Sequence, residues 1–310
     1  MNNILYSKQF LLSIEKLPLY QKKIENLLYI LMYLNHLIKI PLSKNNAKKY
    51  NFDMRNISTP ATILNTKQSG ENNKTITLLT PSYGITYSTL YGGPKSKLRS
   101  LVSPFNSGTI YLYNDDSKQS SKITDFDVKK YHPSFSENLF KTYSASLGAE
   151  ILIKTKCGGS FEQAFYLYNG LLDGMELSDE KNSRLGLIRF IWRYIGVLGI
   201  KPDTKYCCMC GKSFLTRNNR ENQLKCYGTY SEGDNGFICN DCFTENQQSF
   251  ILSQDSLTYL EAVSVLRPKE VREIAITTSC LKELKDFCYY LIQNACNAKL
   301  LTLESGISIL

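Results

Sequence analysis

Cys207-Cys208-Met209-Cys210 and Cys239-Asn240-Asp241-Cys242 form two CxxC pairs separated by 28 residues. Each pair can present two thiolates from one tight turn, and two such turns complete the tetrahedral S₄ shell that zinc accepts without strain. Gly211, directly after Cys210, leaves the first turn room to bring backbone N–H groups towards sulfur. A redox role would want a CxxC after the strand of a βαβ unit, and neither pair has that setting. Four thiolates also fill the shell and leave no open position for a substrate. The reading is therefore one structural zinc ion held by Cys207, Cys210, Cys239 and Cys242. Cys208 and Cys226 lie beside the ligands, while Cys157, Cys280, Cys288 and Cys296 fall in helical segments where buried thiols are ordinary.

Other chemistry has no visible seat. Neither His36 nor His132 is followed by Glu two residues later, which the zinc deaminase pattern requires. There is no Walker A sequence, no GxSxG elbow and no GxGxxG. Asp125 and Asp127 alternate on a predicted strand, and Asp115-Asp116 follow Asn114 in a turn cluster. Carboxylates so placed read as a solvated face and a turn rather than as a metal pair, so a magnesium-dependent nuclease is the weakest reading. The chain reads as a non-enzyme.

The second promising cluster is cationic. Gly92-Gly93-Pro94-Lys95-Ser96-Lys97-Leu98-Arg99-Ser100 puts three cations behind a Gly-Gly entry, with Tyr83, Tyr87 and Tyr91 close by. Oligonucleotide-binding barrels combine a cationic groove with aromatic platforms that stack on bases. The net charge of +9 is also lopsided: residues 1–53 carry +5, residues 54–130 carry +5 and the remainder −1. A basic first half suggests contact with a polyanion.

These residues need elements to position them. Between residue 54 and about residue 128, short β-rich runs alternate with turn signals, which predicts an all-β domain of five strands: Thr59–Lys67, Lys74–Thr80, Ile85–Tyr91, Thr109–Tyr113 and Ser121–Val128. Pro81-Ser82-Tyr83-Gly84 joins the second and third, with Gly84 supplying positive φ. Beyond His132 and Pro133 the apolar period becomes helical, with Ser136 as the expected N-cap. Helices are predicted over Glu137–Lys154, Phe161–Asp173, Arg184–Leu198, Leu257–Leu266 and Leu281–Asn297. The cysteine pairs fall between the third and fourth. The fold class is α+β: residues 54–134 as an oligonucleotide-binding (OB) type barrel, and residues 135–310 as a helical domain with a zinc insertion at 202–245.

Residues 1–53 read as an optional extension, with a helix over Leu19–Ile38 and a polar linker over Ser43–Asn51. Upstream sequence read in frame from too early a start would account for them. The apolar run Leu27–Leu34 reaches Ile40 only across Asn35, His36 and Lys39, too short and interrupted for a membrane span. The ten cysteines, in a chain this long without a cleavable signal, suit a reducing cytoplasm better than a disulfide framework.

A five-stranded barrel, then helices, then a C4 site within them resembles the RecO family of bacterial recombination mediators. Thr77-Leu78-Leu79-Thr80-Pro81-Ser82-Tyr83-Gly84 resembles the family's second strand and turn, and Gly92-Gly93-Pro94-Lys95-Ser96-Lys97 its basic loop. Pro104-Phe105 resembles an "EPF" element, with Ser103 replacing the acid. Leu198-Gly199-Ile200-Lys201-Pro202 precedes Cys207-x-x-Cys210-Gly211 at the family's spacing. The loop between the pairs, carrying Arg217, Arg220 and Lys225, is longer than the family's. The resemblance implies a bacterial, cytoplasmic, nucleoid-associated protein that binds single- and double-stranded DNA and anneals complementary strands coated by single-strand-binding protein. It implies RecR as a partner, RecA as an indirect one, and the acidic, hydrophobic tail of single-strand-binding protein as a ligand of the helical domain. Lys74, Lys95, Lys97 and Arg99 would meet phosphates, and Tyr83 and Tyr91 would meet bases. The alternative is a zinc-stabilised scaffold for RNA or an acidic protein.

Overall fold

Period-two alternation builds the first half of the computed structural model, which describes residues 56–93, 96–115, 117–214, 227–244 and 250–310. The expected leader helix and linker lie outside these residues. Five strands, β1 (Asn56–Gln68), β2 (Lys74–Thr80), β3 (Gly84–Leu90), β4 (Ser107–Asp115) and β5 (Ser120–Lys130), close into a barrel in the order β1-β2-β3-β5-β4. The long β1 pairs antiparallel with both β2 and β4, and a register shift between Ile63 and Asn65 helps it turn from one to the other. Ala61, Ile63, Ile76, Leu78, Leu90, Ile110, Leu112, Ile123 and Phe126 fill the interior. A short helix, α1 (Lys97–Leu101), stands between β3 and β4; its Leu98 and Leu101, with buried Val102, pack against this barrel core. Gly84 has φ +63°, as the turn before it demands.

The chain leaves β5 through a 3₁₀ turn, Pro133–Ser136. Ser136 does not cap the next helix. Its hydroxyl donates to the Pro133 carbonyl, and Asn138, in extended backbone, accepts from the Lys141 N–H at the head of α2 (Leu139–Thr155). Proline sets the turn first, so the helix starts later than Ser136 suggested. α2 buries residues all round, including Phe140, Leu147 and Ile151, and is the central helix. Against it pack α3 (Phe161–Glu176), α4 (Glu180–Val197), α7 (Thr278–Cys296) and α8 (Leu301–Ser305), while α5 (Gln254–Val265) packs on α4 and α7, and α6 (Pro268–Arg272) on α5. Ser160, Asp179, Ser253 and Thr277 cap α3, α4, α5 and α7. Among the described residues no helix is long and apolar enough to cross a membrane.

The excursion between α4 and α5 builds a sheet of its own, β6 (Tyr227–Ser231), β7 (Gly236–Cys239) and β8 (Ile251–Ser253), in the order β7-β6-β8. Phe287 of α7 anchors it, with ring centroids 5.1 Å from Tyr230, 5.4 Å from Phe237 and 5.8 Å from Phe250. Barrel and helices belong to one unit, Asp53–Leu310.

Candidate metal centre, barrel face and arginine pocket

The two cysteine pairs meet. The sulfurs of Cys207, Cys210, Cys239 and Cys242 all lie within 4.8 Å of one another, and no disulfide joins them. The Cys210 and Cys239 sulfurs are 3.7 Å apart. A tetrahedron with zinc–sulfur bonds of about 2.3 Å has edges of about 3.8 Å, so the spacing fits zinc. The backbone supports the same reading. Gly211 has φ +71° and donates to the Cys207 carbonyl, while the Cys239 N–H donates to the Cys207 sulfur over 3.3 Å. Burial pushes the Cys207 thiol up, but the N–H groups of Cys239, Cys210 and Met209 outweigh it and bring the thiol down to about 6. The Cys210 and Cys239 thiols crowd Cys242 and push it up to about 12. Four thiolates this close need a cation to coexist. Cys208 is exposed and outside the cluster, Cys226 lies outside the described residues, and Cys157, Cys280, Cys288 and Cys296 are free and buried.

On the barrel, the structure gathers most of the expected cationic and aromatic residues along β2, β3 and α1. Tyr83 stands exposed in the β2–β3 turn, with its N–H on the Thr80 hydroxyl. Tyr87 is exposed within β3, and Tyr91 is exposed just past its end. Lys74 opens β2, opposite Gln68 and Leu90, and is half-buried. Lys97 is exposed at the start of α1, and Lys95 lies outside the described residues. Arg99 is committed locally: its guanidinium donates to the Gly92 and Asn72 carbonyls and to Gln68, bracing the loop. Sequence reasoning missed Lys122. It pairs across from Thr89 at the β3–β5 seam and holds its ammonium 5.4 Å from the Tyr113 ring centroid. Asp125 and Asp127 stay on the solvated face, Asp125 accepting from the Phe126 N–H and Asp127 pairing with Lys129.

A second feature left no sequence signal. Between α3, α4 and α6 lies a cavity of about 380 Å³ floored by Leu171, Met175 and Phe190, into which Arg189, Arg193 and Arg272 converge. None of its lining residues is acidic. Arg189 is 8% exposed and its Nε has no hydrogen-bond partner. Burial, then the neighbouring Arg189 and Arg272 guanidiniums, lower Arg193 from its ordinary value. A Cβ at Gly170 or Gly186 would enter open space, so these glycines keep the cavity wide. Tyr166 lines the cavity and is 61% exposed. Such a cavity suits an anion that also carries an apolar side chain.

Comparison with known families decides what the chain is. A model described as recombination protein O C terminal matches residues 136–304, and one described as recombination protein O N terminal matches residues 54–132. The chain belongs to the RecO family. A protein of Bacillus pumilus (strain SAFR-032) named DNA repair protein RecO is 29% identical over 203 residues, covering 64% of this chain and 72% of the relative. Its namesake in Bacillus subtilis (strain 168) is 26% identical over 190 residues, covering 59% and 68%. Another in Desulforamulus reducens is 21% identical over 246 residues, covering 79% and 91%. Membership of the RecO family assigns the chain to DNA repair and recombination.

Proposed function

We propose that this RecO family member is a non-enzymatic mediator that binds single- and double-stranded DNA, anneals complementary strands and, with RecR, helps load RecA. The observation that carries the reading is the barrel surface: exposed Tyr83, Tyr87 and Tyr91, with Lys122 across the β3–β5 seam, Lys97 at the head of α1 and Lys74 at the start of β2. Tyrosine rings stack on any base, and lysines pair with any phosphate, which gives affinity without sequence preference. We read the barrel as OB-type. Its closure in the order β1-β2-β3-β5-β4 and the exposed Tyr87 on β3 support that assignment. Lys95 belongs to the same basic loop in sequence, and Arg99 serves the site by holding that loop.

We assign the arginine cavity to the acidic, hydrophobic tail of single-strand-binding protein. Arg189, whose Nε has no partner, and Arg272 match carboxylates, Arg193 adds positive charge while it donates to the Val263 and Leu266 carbonyls, and Leu171, Met175 and Phe190 match an apolar side chain. We assign the four cysteines to zinc, which would hold the small β-sheet together and take no part in a reaction. The protein would act in the bacterial cytoplasm at the nucleoid.

The test is strand annealing on DNA coated with single-strand-binding protein, with and without RecR. Annealing that persists on coated strands supports the reading. No annealing at any salt concentration, or preferential binding of RNA in competition with single-stranded DNA, overturns it in favour of an RNA-binding scaffold.

A further inference from the structure

We propose that Tyr259 of α5 is a positioning residue of the arginine cavity: when an anion fills the cavity, the Tyr259 oxygen takes the Nε–H of Arg189 and holds the guanidinium on that anion. The inference rests on the assignment of the cavity to an acidic peptide and adds a residue from outside its lining.

Two buried polar atoms go unpaired here. The Nε of Arg189 has no hydrogen-bond partner, and neither has the hydroxyl of Tyr259, a residue only 2% exposed. Buried polar atoms cost stability unless something satisfies them. These two are matched in kind, because a guanidinium N–H only donates and a phenol oxygen accepts.

Helix packing brings them together. Arg193 of α4 donates through Nε to the Val263 carbonyl and through a terminal nitrogen to the Leu266 carbonyl, which seats α4 on α5. One turn earlier on α4 stands Arg189, and one turn earlier on α5 stands Tyr259. The electrostatics agree: burial pushes the Tyr259 hydroxyl up from its ordinary value, and the Arg189 guanidinium opposes that rise.

Arg189 is the member free to adjust. The Tyr259 ring is fixed in the helical core, and Arg193 is committed to its two carbonyls. No lining residue gives Arg189 a counter-charge in the empty cavity. A bound carboxylate supplies one, so the forked end of Arg189 can face the ligand while Nε turns to Tyr259. A bond made only in the occupied state adds to affinity and nothing to the stability of the empty protein.

The test is fluorescence anisotropy of an acidic peptide ending in an apolar residue, with the full chain. Tyr259→Phe removes one oxygen and keeps the ring. It should weaken the peptide roughly tenfold, the loss of a charge-assisted hydrogen bond, while the peptide-free variant unfolds at or above the parent's temperature. In an Arg189→Ala background the same change should cost almost nothing, because the oxygen acts only through Arg189. Unchanged affinity in Tyr259→Phe overturns the proposal, and so does an equal loss with and without Arg189. A marked drop in unfolding temperature without peptide also overturns it, since the bond would then exist in the empty protein. A peptide that fails to bind the parent overturns the assignment of the cavity as well, whereas one bound equally by parent and Tyr259→Phe leaves that assignment standing.

Discussion

Leu78 and Leu79 adjoin in β2 yet belong to different hydrophobic cores, Leu78 inside the barrel and Leu79 in the helical cluster. Strand alternation sends one face of β2 inward and offers the other to the helices. Leu64, next to Ile63 in β1, repeats the arrangement. Each leucine is fully buried, so truncation to Ala should cost about 2–5 kcal/mol by denaturant unfolding. Hydrogen exchange should separate the two. Leu78→Ala should speed exchange in β4 and β5, whereas Leu79→Ala should speed it first in α3 and leave the barrel protected.

At the metal centre, Cys210→Ser should lose the ion and much of the stability of the β6–β7–β8 sheet, with the barrel affected only as a consequence. Metal content and thermal unfolding check this. Binding also displaces protons, because Cys242, held near 12 in the metal-free chain by the thiols of Cys210 and Cys239, must ionise to ligate. Loading should therefore acidify a weakly buffered solution, and lowering the pH should release metal to a coloured chelator. Loading without proton release would rule out a four-thiolate site.

The strands were legible because alternation and turn chemistry agree along the barrel: the expected Lys74–Thr80 strand is β2, and the others differ by a few residues at their ends. α1 escaped notice because five residues carry little helical period, and its Lys97 and Arg99 read as a loop. β6, β7 and β8 are three to five residues long and owe their place to Phe287, far along the chain. Cysteine spacing announces the metal site because two turns suffice to build it. The arginine cavity announces nothing, since Arg272 comes from a helix nearly eighty residues after Arg193, beyond the whole cysteine insertion.

That cavity yields its own prediction. Arg189→Ala should weaken binding of an acidic peptide ending in an apolar residue by about tenfold to a hundredfold, the loss of a charge-assisted hydrogen bond worth about 1.5–3 kcal/mol. Fluorescence anisotropy with the labelled peptide measures it. Gly186→Leu should block the cavity by filling it, because a side chain there enters open space rather than the core. Both variants should bind bare single-stranded DNA as the parent does; equal loss of DNA binding would place the nucleic acid, not a peptide, in this cavity.

The barrel face separates stacking from charge. Tyr87 is 60% exposed on β3, so Tyr87→Ala should leave the fold intact and cost about 1–3 kcal/mol of single-stranded DNA affinity if a base stacks there. Duplex affinity should hardly change, because paired bases offer no free face. Lys97→Ala and Lys122→Ala should instead weaken both forms at low salt. Each should reduce the slope of log affinity against log salt by roughly 0.7 on single strands and 0.9 on duplex, the share of one phosphate contact. Arg99→Ala should behave differently from either lysine. Its guanidinium holds the Gly92 and Asn72 carbonyls, so its loss should lower thermal stability before it alters the salt slope. A full phosphate's change in slope with unchanged stability would show that Arg99 faces DNA and that the brace is incidental.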